Sequence, residues 1–87
     1  MLDTVQKDPK GVRDFTVNWV PRLEGETIAT SRWAGDLTVV TSSNTNNQAT
    51  VRVSGGIDGL TYEMTNTVET SGGQTMQEIL PVRVVEL

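Results

Sequence analysis

Residues 59–73 read Gly-Leu-Thr-Tyr-Glu-Met-Thr-Asn-Thr-Val-Glu-Thr-Ser-Gly-Gly, and this stretch decides the fold. Its side chains alternate between two faces, one mostly apolar and one polar or charged. A period of two, in a segment rich in β-branched residues, predicts a half-buried antiparallel strand. The Ser-Gly-Gly turn at its end predicts a hairpin with the C-terminal run, residues 74–87. The inward face carries Tyr62, Met64, Asn66 and Val68.

The preceding chain contains four more segments with strand character. In the clearest of them, Phe15, Val17 and Trp19 share one face, and Pro21 ends the ladder because it lacks an N–H. The Asn-rich run at residues 43–47 is predicted to be a loop. Apart from the strand already quoted, the predicted strands cover residues 12–20, 27–33, 37–43, 49–54 and 75–85.

Two places complicate this pattern. Ile28 and Trp33 lie five residues apart, on opposite phases of the alternation. Either the strand bulges near residues 30–31, or Trp33 lies at the strand end and folds over the edge of the sandwich. Pro81 interrupts the last strand, and a proline within a sheet belongs at an edge or a bulge. We therefore expect this strand at an edge of its sheet, bulged near residues 80–81.

These patterns predict an all-β fold, a small immunoglobulin-like β-sandwich of six to seven antiparallel strands with a flexible N-terminal arm. The arm comprises residues 1–11, which are polar, and the sandwich comprises residues 12–87. A seventh strand comes either from the segment around Ala34 or from the arm. The arm is either a frayed terminus with little regular structure or a segment that orders on a neighbouring subunit. The predicted core residues are Phe15, Val17, Trp19, Ile28, Val51, Val53, Tyr62, Met64 and Val68.

The composition argues against several classes of protein. The 87 residues make one small domain and include no Cys and no His, which leaves no disulfide, no thiolate metal site and no histidine base. A net charge of −4 with scattered basic residues argues against nucleic-acid binding. No apolar run approaches the roughly 20 residues that span a bilayer. The first residues lack the apolar region of a secretory signal, so we expect synthesis in a cytoplasm and no membrane partner.

No arrangement of residues indicates an enzyme, a metal site or a cofactor. Asp14, Glu63 and Glu69 lie on the solvent phases of their strands, and the other acidic residues lie in turns, which is typical of a solvated surface. Asp residues in the glycine turns stand alone, whereas calcium needs several oxygens close together. Trp33 is the freer of the two tryptophans and is a candidate for stacking on a sugar, although packing at an edge or an interface is favoured.

A series of short segments, in a fixed order, resembles a known family. The segments are Lys7-Asp8-Pro9, Asp14-Phe15-Thr16-Val17-Asn18-Trp19, the run from Gly25 to Trp33, Gly35-Asp36-Leu37-Thr38-Val39, the run from Ala49 to Gly56, Thr61-Tyr62, Asn66 and Thr70-Ser71-Gly72-Gly73. Taken together, they are similar to the short immunoglobulin-like virion proteins of tailed bacteriophages known as fiber–tail adaptors. The resemblance extends from about residue 7 to residue 85.

The resemblance implies a non-enzymatic structural protein of the virion, made in the host bacterial cytoplasm and needing no cofactor. Its partners would be other virion proteins of the tail, fiber or capsid, bound through a sheet edge, loop tips and the arm, with self-association as a further option. The alternatives are a capsid decoration or cement protein on the phage head and a carbohydrate-binding surface module. The predicted partner-binding residues are Lys7, Asp8, Pro9, Lys10, Trp33, Asn44, Asn46 and Asn47.

Tyr62 adds a local prediction. It leads the long strand three residues after Gly59, as the tyrosine corner of immunoglobulin-like domains does. This resemblance predicts a buried ring whose hydroxyl bonds a nearby backbone carbonyl.

Overall fold

The computed structural model describes residues 1–87 in full, as seven strands and one short helix. The alternating sequence segments form the strands, and the only helix is a single turn. The elements are β1 Val5–Lys7, β2 Arg13–Asn18, α1 Val20–Leu23, β3 Ile28–Gly35, β4 Thr38–Asn44, β5 Gln48–Ser54, β6 Thr61–Thr70 and β7 Thr75–Val84.

The strands form two facing sheets, one of four strands in the order β1-β7-β6-β3 and one of three in the order β2-β5-β4. In the immunoglobulin sandwich the second, fifth and fourth strands share one sheet, and the third, sixth and seventh share the other. The present chain follows that order, with its first strand placed beside the last. The prediction of an all-β sandwich is confirmed, and so is the hairpin between β6 and β7.

The N-terminal arm supplies the seventh strand. β1 pairs with the end of β7, from Val5 opposite Val82 to Lys7 opposite Val84, and this pairing is parallel, whereas all other strand pairs are antiparallel. Leu2 and Val5 also pack against the core. The expectation of little regular structure in residues 1–11 is therefore wrong at β1, because β7 offers an unpaired edge that this short segment covers. The division of the chain at residue 12 stays a prediction.

The last strand lies inside its sheet, and the prediction that it forms an edge is wrong. β7 runs between β1 and β6, and its register with β6 continues without a bulge through Glu63 opposite Pro81. Because the register is unbroken, the nitrogen of Pro81, which carries no hydrogen, faces away from β6 and toward the β1 side of β7. On that side the β1 pairing begins only at Val82, so no ladder hydrogen bond is lost.

A bulge in β3 resolves the conflict between Ile28 and Trp33. The register with β6 shifts between Ile28 and Thr30, which confirms the bulge that the sequence offered as one alternative. The extra residue returns both apolar side chains to the inner face. Ile28 is buried, and Trp33, opposite Asn66 in the middle of the strand, is half-buried and packs against the interior.

The interior consists of two clusters, one toward each end of the sandwich. Of the nine predicted core residues, eight are buried and Tyr62 is half-buried. Its hydroxyl accepts a hydrogen bond from the Ile57 backbone N–H at 2.9 Å, so the predicted carbonyl partner is wrong. The first cluster contains Phe15, Leu37, Val51, Val53, Met64, Leu80, Val82 and Val84, and the second contains Val17, Trp19, Leu23, Ile28, Ala49 and Val68.

One buried polar residue joins the two sheets. Asn66, on β6, has no exposed surface. Its Oδ1 accepts a hydrogen bond from Trp19 Nε1 at 2.8 Å, and its Nδ2 donates to Ser31 Oγ and to the Arg32 carbonyl oxygen, both at 3.0 Å. The side chain thus connects the end of β2 to the neighbouring strand β3. Because a hydrogen bond requires a particular geometry, the bond between Trp19 and Asn66 fixes how the two sheets are placed against each other.

Candidate functional site

The acidic residues of the structure do not gather into a metal site. No group of three His, Cys, Asp or Glu residues comes together in a way that could hold a metal ion. The single helix has four residues, so the structure has no helical segment of the length and apolarity that crossing a bilayer requires. The candidate binding surfaces are the two ends of the sandwich and the edge of the three-stranded sheet at β4.

Lys7 has a structural position, although the sequence placed it among the partner-binding residues. The residue has no exposed surface, and its Nζ donates to the Gly55 carbonyl oxygen at 2.7 Å and to the Asp8 carbonyl oxygen at 2.8 Å. Burial lowers the pKa of the ammonium group, and the nearby Asp8 carboxylate partly opposes that shift. Lys7 therefore fastens β1 to the loop after β5 and offers no atom to a partner.

The rest of the predicted arm site is a turn at the same end of the sandwich. The Asp8 carboxylate accepts hydrogen bonds from the backbone N–H groups of Lys10 and Leu87 at 2.9 and 3.4 Å. The bond from Lys10 is the largest cause, and the bond from Leu87 the next, of a pKa of this carboxyl below its usual value. Pro9 is half-buried and Lys10 is exposed. Of the four arm residues predicted to bind a partner, only Lys10 is exposed.

The Asn-rich loop lies at the opposite end and is shorter than predicted, residues 45–47, because Ser43 and Asn44 continue β4. The Asn47 carbonyl oxygen accepts a hydrogen bond from the Trp19 N–H at 2.9 Å, and the Asn46 carbonyl oxygen accepts one from the Ile28 N–H at 2.8 Å. Asn44, Asn46 and Asn47 are all exposed. The loop is therefore anchored by its backbone and presents its amide side chains to solvent.

The predicted partner-binding residues thus do not form one site. The molecule measures 41 × 21 × 17 Å, with the arm turn and the Asn-rich loop at opposite ends. Trp33 lies between them, half-buried on β3, and its Nε1 is shielded from solvent and has no hydrogen-bond partner. A ring packed on both core clusters does not form the exposed flat platform on which a sugar stacks.

Strand β4 is one of the four edge strands of the sandwich, the others being β1, β2 and β3. It pairs with β5 on one side only, and all seven of its residues are exposed. The strand carries no charged residue and no proline, the two features by which natural proteins block edges, although a bulge interrupts its register near Val40. Val39 and Val40 are 38% and 48% exposed, so this edge also offers apolar side chains.

A small cleft lies beside the Asn-rich loop. It has a volume of about 220 Å³. Its wall is partly apolar and partly polar, and it brings together the helix, the turn before β3 and the loop before β5. Sequence reasoning missed this cleft, because its residues come from separate turns and none of them has a distinctive pattern. The lining residues are Val20, Leu23, Gly25, Glu26, Thr27, Asn46 and Asn47.

These features define a class of protein: a small immunoglobulin-like sandwich whose candidate sites are binding surfaces, namely an unpaired edge strand and a polar cleft. The chain matches the family model described as podophage GP4 fiber-tail adaptor protein gp77 over residues 7–83. It therefore belongs to this family of phage structural adaptors, as its resemblance to the fiber–tail adaptors predicted.

One solved structure supports the fold alone. A crystal structure of the 2,6-sialyltransferase from Photobacterium sp. JT-ISH-224 aligns with a TM-score of 0.54 at 10% sequence identity. The alignment covers 97% of this chain and 18% of the sialyltransferase, so the likeness concerns one small part of a much larger protein. No curated protein sequence matches the chain.

Proposed function

We propose that the protein is a non-catalytic structural component of the phage particle that docks onto other virion proteins between fiber and tail, and that an extended segment of such a protein pairs with β4. It acts in the virion after synthesis in the host bacterial cytoplasm. The family membership supports the role, and the single observation that supports the surface is the exposure of β4 along its whole length.

Strand addition suits this edge for physical reasons. An exposed edge strand presents unpaired N–H and C=O groups, which a partner strand can satisfy with main-chain hydrogen bonds. Each such bond contributes about 0.5–1.5 kcal/mol net, and burying the exposed parts of Val39 and Val40 adds an apolar contribution. Because β4 carries no charged side chain, covering this edge does not require a charged group of the strand to lose its contact with water.

The two alternative functions have less support. A cement protein on the phage head would use its arm to bridge capsid subunits, but residues Val5–Lys7 of the arm pair within their own sheet. A carbohydrate-binding module needs an exposed aromatic platform, and Trp33 is half-buried. A second copy of the chain is another possible occupant of β4, and sedimentation of the purified protein distinguishes this case from a monomer.

Immunogold labelling of purified phage particles tests the role. Label at the tail or at the fiber attachment supports the adaptor function, and label spread over the head converts the conclusion to capsid decoration. Particles without label would refute both, and binding of a polysaccharide panel would be tested next, with Trp33 fluorescence as the readout.

The docking surface is tested separately with Val40→Lys, which places a charge on the edge at β4. The control is Thr16→Lys on β2, an exposed position on the edge strand at the other side of the same sheet. Particles lacking the protein are supplied with each variant. Val40→Lys is expected to fold and to be missing from particles, while Thr16→Lys is incorporated. Incorporation of Val40→Lys at the wild-type level would refute docking at β4.

A further inference from the structure

The cleft beside the Asn-rich loop has the size of a site for one side chain. Its volume of about 220 Å³ is below the roughly 300–1,000 Å³ of pockets that hold a small-molecule ligand. The apolar part of the wall comes from Val20, which is 53% exposed, and from Leu23, which is buried. The polar part comes from Glu26 and from the two asparagines of the loop.

Glu26 carries a charge in this wall that no residue of the chain neutralises. Its carboxylate takes part in no ion pair, and its Oε1 is shielded from solvent without a hydrogen-bond partner. An unpaired buried carboxylate oxygen is unfavourable, because burial removes the water that stabilised the charge. The backbone N–H of Glu26 is used, since it donates to the Leu23 carbonyl oxygen at 2.9 Å and thereby fixes the position of the turn.

A glycine on the neighbouring hairpin makes room for this carboxylate. A Cβ at Gly72 would overlap Glu26 Oε2 and would lie 2.6 Å from its Cδ. The backbone at Gly72 does not adopt a left-handed conformation, so the turn itself would accept another residue. Any larger residue there would displace the charged group from its place beside the cleft.

The one basic residue on the helix is already engaged elsewhere. The Arg22 Nη1 donates to Glu78 Oε2 at 2.7 Å and to the Gln77 carbonyl oxygen at 3.1 Å, and the guanidinium lies over the Trp19 ring. The cleft lining contains no Lys and no Arg. A positive charge paired with Glu26 would therefore have to come from outside the chain.

We propose that this cleft binds a single Arg or Lys side chain of a partner virion protein. The alkyl part of such a side chain packs against Val20 and Leu23, and its charged end pairs with the Glu26 carboxylate, with the amide oxygens of Asn46 and Asn47 as further acceptors. This inference rests on the proposed docking function and adds a second contact, at the end of the molecule and separate from β4.

Titration with small probes tests the cleft itself. ¹⁵N-labelled protein is titrated with Nα-acetyl-arginine amide and Nα-acetyl-lysine amide, and with Nα-acetyl-norleucine amide as an uncharged control. We expect saturable shifts of the amide signals of residues 25–27 and 46–47, with a dissociation constant on the order of 1–10 mM for ligands of this size. Norleucine amide is expected to give no saturable shifts.

Two variants and a matched control identify the group responsible. Glu26→Gln removes the charge and keeps the shape, and Gly72→Ala displaces the carboxylate without changing the charge of the chain. Both are expected to weaken arginine binding at least about tenfold. Glu24→Gln removes the same charge two residues away, outside the cleft lining, and is expected to bind like the wild type. The thermal midpoint of Glu26→Gln is expected not to fall, because the substitution removes a buried charge that has no donor.

The outcomes separate this inference from the docking function. No saturable shift with the cationic probes, equal binding of norleucine amide, or wild-type affinity in Glu26→Gln would each overturn the cation site. If immunogold label lies at the tail while the probes fail to bind, the adaptor function stands and the cleft assignment is wrong. If the probes bind and particles carry no label, the cleft is a cation site in a protein whose proposed function is wrong.

Discussion

Replacing Asn66 with Leu is expected to remove a large part of the stability of the protein. Asn66 is fully buried and forms three hydrogen bonds, one to Trp19 at the end of a strand of the facing sheet and two to Ser31 and the Arg32 carbonyl oxygen on the neighbouring strand β3. Leucine has a similar size, so the substitution leaves no large cavity, and the effect arises from the polar groups.

The magnitude follows from the contacts. Three intramolecular hydrogen bonds contribute about 1 kcal/mol each, and Trp19 Nε1, in a residue that is 1% exposed, is left without an acceptor at a further cost of about 1–3 kcal/mol. We therefore expect the free energy of unfolding to fall by about 4–6 kcal/mol. Because small domains have only about 5–15 kcal/mol in total, the variant is expected to be marginally stable.

Urea denaturation followed by far-UV circular dichroism measures this loss as a lower midpoint with an unchanged slope. The control is Asn46→Leu, an exposed position whose side chain forms no hydrogen bond, with an expected change below about 0.5 kcal/mol. In a double-mutant cycle, Trp19→Phe removes the donor, so Asn66→Leu should cost about 1–3 kcal/mol less in that background. Additive costs of the two substitutions, or a loss below about 1 kcal/mol for Asn66→Leu alone, would refute the reasoning.

Two further predictions concern a turn and an ion pair. Gly56→Ala should lower the free energy of unfolding by about 2–4 kcal/mol in urea, because its φ is +101° and a Cβ would lie 2.6 Å from Val84 Cγ2. Gly59→Ala, at φ +91° with open space, should cost only about 1–2 kcal/mol, and equal losses would contradict the packing argument. The Arg52 guanidinium donates a hydrogen bond to the Asp14 carboxylate at 2.7 Å and lowers the pKa of that carboxyl. The pair therefore stabilises the fold above about pH 4, and this contribution is lost as the pH falls through the lowered pKa. The difference in thermal midpoint between wild type and Asp14→Asn should therefore shrink in acid, and a constant difference from pH 7 to pH 2 would count against this pairing.

The alternating segments could be predicted because a half-buried strand leaves a period of two in the sequence. The inward face of β6 followed from that period alone, and the bulge in β3 was one of the two arrangements that the period left open. The arm was one of two predicted sources of a seventh strand, but the position and pairing of β1 could not be predicted, because three residues are too few to show a period. Moreover, Lys7 is normally an exposed residue, and its burial depends on a carbonyl oxygen 48 positions away, at Gly55.

Pro81 misled the prediction for a related reason. A proline excludes a ladder bond on one side of a strand only, and the sequence does not tell which side is already without a partner. In the structure, the side without an N–H falls where β1 has not yet begun. Position in the sheet therefore depended on the length of another strand.

The candidate site was predicted in part. The Asn-rich loop was identified as exposed and polar, and the cleft beside it was not. Glu26 lies in a turn, where a carboxylate is ordinarily solvated, so nothing in the local sequence marks it as unpaired. The sequence feature that could have indicated the site was the pair of adjacent glycines, Gly72 and Gly73. Only Gly73 has a positive φ, so Gly72 is needed for a different reason, the space that its missing Cβ leaves for the Glu26 carboxylate.

The parallel pairing of β1 with β7 also determines how the molecule carries a load. When force is applied on the N-terminal side of β1 and on the C-terminal side of β7, the two strands are pulled in opposite directions along their common axis. The three paired positions, from Val5–Val82 to Lys7–Val84, are then strained together in shear and do not open one after another, as the strands of a hairpin do when they are peeled apart. The Lys7 ammonium group also ties β1 to the loop after β5 through the Gly55 carbonyl oxygen. A protein placed between a fiber and a tail would thus resist tension through its shortest strand.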